Sequence, residues 1–154
     1  MPSPEPRAVF EAFLRAVNSR NAAALDGLVH PDYLETYPQS RERTHGVENL
    51  RAIMEHYPGG YEDKGLDRVV GSEDRWVVSP AYTLLRIEGA GDTFTSVQQA
   101  RYPDGSEWHV VSIGEIRDGR VWRVQTFFAP AFDAPAWRSA WVELIQPAKD
   151  HPAR

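Results

Sequence analysis

The sequence predicts an α+β protein, with helices laid across one face of a curved, mostly antiparallel sheet. Three observations carry this. Apolar residues recur at helical spacing in the first third of the chain. From Leu66 onward the apolar period shortens toward two. Asp104-Gly105 and Asp118-Gly119 punctuate that later region, and Asp-Gly tolerates the positive φ of a tight hairpin turn.

Ser3 is a helix cap with Pro4 at the first helical position. Phe10, Phe13, Leu14 and Val17 follow at i, i+3, i+4, i+7, the spacing of an amphipathic helix. Asn18–Asn21 is a polar break. Leu25, Leu28 and Val29 then share a face of a short second helix, which His30-Pro31 ends because a residue before proline avoids the helical region. Asp32–Tyr37 reads as a short strand and Pro38–His45 as a polar loop. A third helix spans Gly46 to Tyr57, with Leu50, Ile53, Met54 and Tyr57 on its apolar side and Pro58-Gly59-Gly60 as its stop. Strands are expected at Leu66–Val70, Arg75–Ile87, Thr93–Tyr102, Glu107–Arg117 and Arg120–Phe128. Pro80 marks the second of these as an edge or a bulge. Asp133 caps a C-terminal helix over Ala134–Leu144 that presents Trp137, Trp141 and Leu144 on one face. There is no repeat, linker or low-complexity tract, so residues 1–154 are expected to form one domain.

Composition narrows the chemistry. The chain has 154 residues and no cysteine, which excludes disulfides, thiol nucleophiles, thiolate zinc sites and iron–sulfur clusters. A formal net charge of −5 and a pI near 5.5 argue against nucleic acid as a partner. No apolar run reaches the roughly 18–20 residues that span a bilayer, and the N-terminus lacks an apolar signal core, so a cytoplasmic protein without a membrane partner is expected. The five histidines, at 30, 45, 56, 109 and 151, show no ligand-pair spacing, and no metal or other cofactor is expected. No glycine-rich phosphate loop and no base for a serine nucleophile can be recognised.

Several segments together resemble the NTF2-like superfamily, and within it the SnoaL-like branch. These are Ala16-Val17-Asn18, His30-Pro31-Asp32-Tyr33, the helix-opening Gly46 and the hairpin Ile116–Val121. Tyr37-Pro38-Gln39-Ser40, Phe127-Phe128-Ala129-Pro130 and Ala134–Arg138 resemble an uncharacterised bacterial subgroup of that branch. The likeness covers about residues 8–143. It implies a sheet curled into a cone, helices closing the wide end, an apolar pocket inside and a homodimer formed through the sheet. Its members include ketosteroid isomerases, polyketide cyclases, epoxide hydrolases, dehydratases and non-catalytic binding domains, so the fold does not fix the activity.

The isomerase pattern does not transfer. Its tyrosine donor, aspartate base and protonated aspartate align with Phe13, Tyr37 and Ser112. Phe13 cannot donate, and Tyr37 is a poor base with a reference pKa of roughly 10. Ser112 can donate a hydrogen bond but is no acid. No aspartate pairs with Arg101 or Arg117 as an epoxide hydrolase would need, and no cyclase-type His–Asp pair can be assigned.

Glu35 is the candidate base. It stands two residues before Tyr37, so the two share a strand face. On a pocket wall its pKa would rise and suit acid–base work; on the rim it would be a solvated or arginine-paired carboxylate. Tyr37 is a pocket hydroxyl and the second catalytic candidate. Strand parity puts Trp108, Val110, Ser112 and Gly114 on the pocket side and His109 on the outer, dimer-forming side. With Trp108 and Ser112, the expected ligand-binding residues are Tyr33, His45, Tyr57, Trp76, Trp122 and Phe128. Arg123, Gln125 and Phe127 form an outer row suited to a homodimer surface. The function this supports is binding of a small apolar molecule in an aromatic-lined pocket, with isomerase, cyclase or dehydratase chemistry on it; a non-catalytic binding or interaction module is the alternative.

Overall fold

The structure, a computed structural model, describes residues 4–57, 81–102 and 105–145. Helix α1 spans Pro6–Asn18. It starts later than Ser3-Pro4 suggests, because Pro6 is also suited to a first helical turn. Glu5 before it is extended, at φ −61° and ψ 130°, as a residue preceding proline prefers. Ser3 lies outside the described residues. After a left-handed Arg20 (φ 55°), Ala22–Leu25 forms one 3₁₀ turn, capped by Asn21 accepting from the Ala24 amide at 3.2 Å. Strand β1 spans Val29–Tyr37, β2 Glu42–His45, helix α2 Gly46–Glu55, β3 Ala81–Ala90, β4 Thr93–Arg101, β5 Glu107–Arg117 and β6 Arg120–Pro130.

The six strands lie in the order β2-β1-β6-β5-β4-β3. All neighbours are antiparallel except β1 and β6, which run parallel. Among the described residues the sheet is therefore mixed and open: β2 and β3 are its two edges and do not pair with each other, so the expected cone does not form. The expected C-terminal helix is also absent. Ala136–Trp141 forms only a six-residue 3₁₀ segment with no buried residue, and Trp137 and Trp141 stand 76% and 79% exposed instead of folding back on the sheet. With no apolar surface to pack on, a segment this short has little to stabilise an α-helix.

Smaller departures have local causes. Val29 and His30 belong to β1, not to a second helix; Pro31 breaks no ladder there, because the β1–β6 register is interrupted between Val29 and Leu34. β2 falls inside the predicted polar loop, and as an edge strand it can carry Glu42, Arg43 and His45 in solvent while burying only Thr44. The expected strand at Leu66–Val70, residues 75–80 of the next strand and the stop at Pro58-Gly59-Gly60 lie outside the described residues. The Asp118-Gly119 hairpin is present, with φ of 50° and 70°.

Helices α1 and α2 cover one face of the sheet. Phe10, Phe13, Tyr33 and Phe94 form the aromatic centre of the core, with ring centroids 6.0–6.5 Å apart. Phe10 is fully buried and rests over the backbone of Gly114; a Cβ there would lie 2.4–2.8 Å from three atoms of the ring. We predict that Gly114→Ala, which forces Phe10 and α1 outward, lowers unfolding free energy by about 1–3 kcal/mol. Chemical denaturation measures this, and an unchanged midpoint would show that α1 does not depend on the contact.

Candidate functional site

The inner face of the sheet is built in rows. Glu35, Val124, Gly114 and Phe94 are register partners across β1, β6, β5 and β4. The next row inward from the turn end holds Thr126, Ser112 and Ser96, and the one after it Phe128, Val110 and Gln98. Under α1 the first row is filled by Phe10. Beyond it, Phe13, Leu14, Val17 and Asn18 of α1 and Leu50, Ile53 and Met54 of α2 stand off the later rows and enclose a cavity of about 150 Å³. A wider vestibule of about 660 Å³ adjoins it, the two sharing Tyr37, Ile53, Tyr57 and Phe128 on their walls. The inner cavity alone falls short of the roughly 300–1,000 Å³ of typical ligand sites, so a molecule larger than a single small ring must extend into the vestibule.

Glu35 is buried on the wall of the inner cavity, 7% exposed. Tyr33 donates its hydroxyl to Glu35 Oε2 at 2.9 Å, and Thr126 donates to Oε1 at 2.9 Å. The Tyr37 hydroxyl is a third donor. Thr126 Oγ1 lies 3.1 Å from Ser112 Oγ; its single proton is committed to the carboxylate, so Ser112 donates to Thr126. None of the ion pairs among the described residues involves Glu35. Burial raises the Glu35 pKa above the ordinary glutamate value, while the three hydroxyl donors oppose that rise. Burial, reinforced by the neighbouring Glu35 charge, pushes Tyr33 and Tyr37 well above the usual tyrosine value. Both tyrosines are therefore protonated donors at neutral pH.

The expected site residues divide clearly by position. Tyr37, Tyr57, Ser112 and Phe128 line the inner cavity with Glu35, and Trp108 lines the vestibule. Burial also raises the Tyr57 pKa, and Arg20 lies 5.9 Å over its ring. Tyr33 is 1% exposed and packs behind the wall, reaching the site only through its bond to Glu35. His45 is exposed at the start of α2, where its carbonyl accepts from Asn49 at 2.8 Å; it does not line the cavity. Trp122 does not line it either. The β5–β6 register shifts between Glu115 and Ile116, which turns Val121 and Val124 inward and leaves the Trp122 ring between Arg117 and Arg123, at 4.8 and 4.0 Å. Trp76 lies outside the described residues. His109 faces outward, as strand parity indicated. The three positions aligned with the isomerase groups, Phe13, Tyr37 and Ser112, all lie on the cavity wall, but the carboxylate there comes from Glu35.

Sequence reading passed over Asn18, Gln98 and Thr126 as functional positions. Thr126 was discoverable from strand parity with Phe128. Gln98 and Asn18 carry no local signal, since an amide on an alternating strand or at a helix end is ordinary. Gln39 was also missed: its side chain accepts from the Phe128 amide at 2.6 Å and donates to the Phe128 carbonyl at 2.5 Å, which fixes that ring at the mouth. Among the described residues no group of three His, Cys, Asp or Glu is placed to hold a metal ion, and no helix is long and apolar enough to cross a membrane.

The SnoaL-like domain family matches residues 10–124 of the chain. An NTF2-like protein of unknown function from Burkholderia xenovorans LB400 is 30% identical, over 92% of this chain and 95% of that one, with a TM-score of 0.69. A putative ketosteroid isomerase from Kribbella flavida is 22% identical, over 94% and 91%, with a TM-score of 0.73. An epoxide hydrolase from M. tuberculosis is 17% identical, over 82% and 84%, with a TM-score of 0.58. These last two are similar in fold. No curated protein matches the sequence. The chain belongs to the SnoaL-like domain family, and it carries an apolar pocket of small-molecule type.

A raised Glu35 pKa has a definite sign in stability. The folded state then holds the proton more tightly than the unfolded chain. Its contribution is greatest below the unfolded pKa, about 4.3, and declines as pH rises toward the raised folded value. We predict that the stability of the protein relative to Glu35→Gln falls over that interval. Urea unfolding at a series of pH values reads the difference, and a pH-independent one would contradict the burial of Glu35.

Proposed function

We propose that this SnoaL-like chain binds a small, largely apolar molecule in the cavity and that Glu35 serves as a general base on it, in chemistry of the isomerase, cyclase or dehydratase kind. The observation that carries the reading is a carboxylate on the wall of an apolar cavity, with a raised pKa and no cationic partner among the ion pairs described. Such a group, once ionised, accepts a proton from carbon more readily than an ordinary glutamate. The C–H bond adjacent to a carbonyl breaks, its electron pair stays on the substrate as an enolate, and the proton passes to a Glu35 oxygen. Returning it to another carbon isomerises the substrate; delivering it to a β-hydroxyl, whose C–O bond breaks as the enolate electron pair forms the C=C bond, releases water and dehydrates it. Tyr37 and Ser112 orient the substrate, Tyr57 and Phe128 hold its apolar body, and Trp108 borders the entrance.

One observation favours a second reading, a binding module without chemistry. Both Glu35 oxygens already accept hydroxyl protons from the chain itself. Exchange of the α-hydrogens of cyclohexanone in D₂O, followed by NMR, separates the two. The enzyme reading expects exchange above buffer background that Glu35→Gln lowers by about 10²–10⁴-fold. Binding of the ketone without faster exchange supports the module and removes Glu35 from catalysis.

We further propose a homodimer through the outer face of the sheet. Val97, Val111 and Phe127 are register partners on that face, Ile113 lies beside them, and all four are half-buried in the single chain. Gln99, Gln125 and the exposed His109 and Arg123 border them, an apolar centre with a polar rim. Sedimentation should give a dimer that Val111→Arg converts to a folded monomer; a monomeric parent protein overturns the assignment.

A further inference from the structure

The end of the cavity remote from Glu35 holds a buried amide that the chain leaves half satisfied. Gln98, on β4, is 3% exposed and lines the cavity with Asn18 of α1. Its Oε1 accepts from Asn18 Nδ2. That bond orients the amide, while Nε2 has no partner among the described hydrogen bonds. A buried donor without an acceptor is costly, so it is normally met by chain, water or ligand. β4 lies three strand spacings from β1, about 14 Å across the sheet, with the cavity between the two groups.

We infer that Gln98 Nε2 donates to an acceptor oxygen of the bound molecule, with Asn18 as its positioning residue, and that the ligand class is small neutral carbonyl compounds. The inference rests on the cavity being a ligand site, as proposed above, and the oxygen held at Gln98 is not the one beside the carbon that meets Glu35. Neutrality follows from the two ends of the enclosure: an anionic ligand would meet the Glu35 carboxylate in a medium of low dielectric, and a cationic group cannot accept from the Gln98 donor. The carbonyl follows from the donor. With its oxygen turned toward Asn18, Gln98 is left with its amino protons unpaired, and the flanking Val17, Val110 and Phe128 offer no acceptor for a hydroxyl proton. Asn18 is only half-buried at the end of α1, where solvent can satisfy its carbonyl.

Binding of cyclohexanone, cyclohexanol and methylenecyclohexane, three probes of nearly one shape, tests the assignment by NMR titration of the full chain. We expect the ketone to bind about ten- to a hundredfold more tightly than the hydrocarbon. We expect Gln98→Met, which keeps the length and removes the donor, to abolish that preference and retain hydrocarbon binding. The Gln98 side-chain amide signals of the unaltered protein should shift with the ketone and not with the hydrocarbon, a reading that stands even if the variant does not fold. Equal affinity for ketone and hydrocarbon, an undiminished preference in Gln98→Met, or tighter binding of the alcohol overturns the role of Gln98 and leaves the cavity as a binding site. If none of the three probes enters, the ligand site itself falls, and this inference with it.

Discussion

The contact of Phe10 with the bare backbone of Gly114 governs how the helical layer meets the sheet. Without a side chain on β5 at that row, α1 approaches closely, and the ring fills the space between Val124 and Phe94. The same helix two turns on faces Thr126, Ser112, Val110 and Gln98, each of which carries a side chain. A straight helix held down at one end over a glycine therefore leaves room at its other end. α2 lines that room with Leu50, Ile53 and Met54 without filling it. The cavity is thus a consequence of side-chain size along one sheet row after another.

Within it, the burial of Glu35 is the costly feature. Holding an ionised carboxylate out of water costs several kcal/mol even after relaxation. Hydrogen bonds to a charged group return about 1.5–3 kcal/mol each, so three hydroxyl donors offset much of that cost. The balance explains the direction of the pKa shift: burial prevails over the donors that oppose it. It also explains why tyrosines supply two of the donors. Their own burial keeps them protonated, so the proton inventory around Glu35 changes at Glu35 alone.

Much of this was legible in the sequence where periodicity is strong. The faces of α1 and β5 follow from spacing, and the shared face of Glu35 and Tyr37 from parity. The signal failed where a tertiary partner decides. β2 is polar because it is an edge, and composition alone cannot distinguish a polar edge strand from a loop. Trp122 was assigned by counting alternate residues, and the bulge opposite Glu115 and Ile116 inverts that count. The tryptophans of the last segment have helical spacing, but spacing yields a helix only where a face exists to receive it. The open sheet is a further case. Whether a sheet closes depends on its two edge strands meeting, which no local pattern encodes.

The arrangement of polarity in the cavity limits what can occupy it more than its volume does. One wall offers a carboxylate whose oxygens already receive hydroxyl protons; the opposite wall offers an amide directed by Asn18. Between them lie Val17, Val110, Val124 and Phe128, which gain nothing from a polar occupant. Arg20, over Tyr57, contributes the cation on the lining but is only half-buried, so water screens it. An anion entering the interior would thus be met by no opposite charge of comparable burial. Selectivity in such a site arises from the penalty of leaving a buried polar group unpaired, because apolar contact alone distinguishes molecules of similar shape weakly.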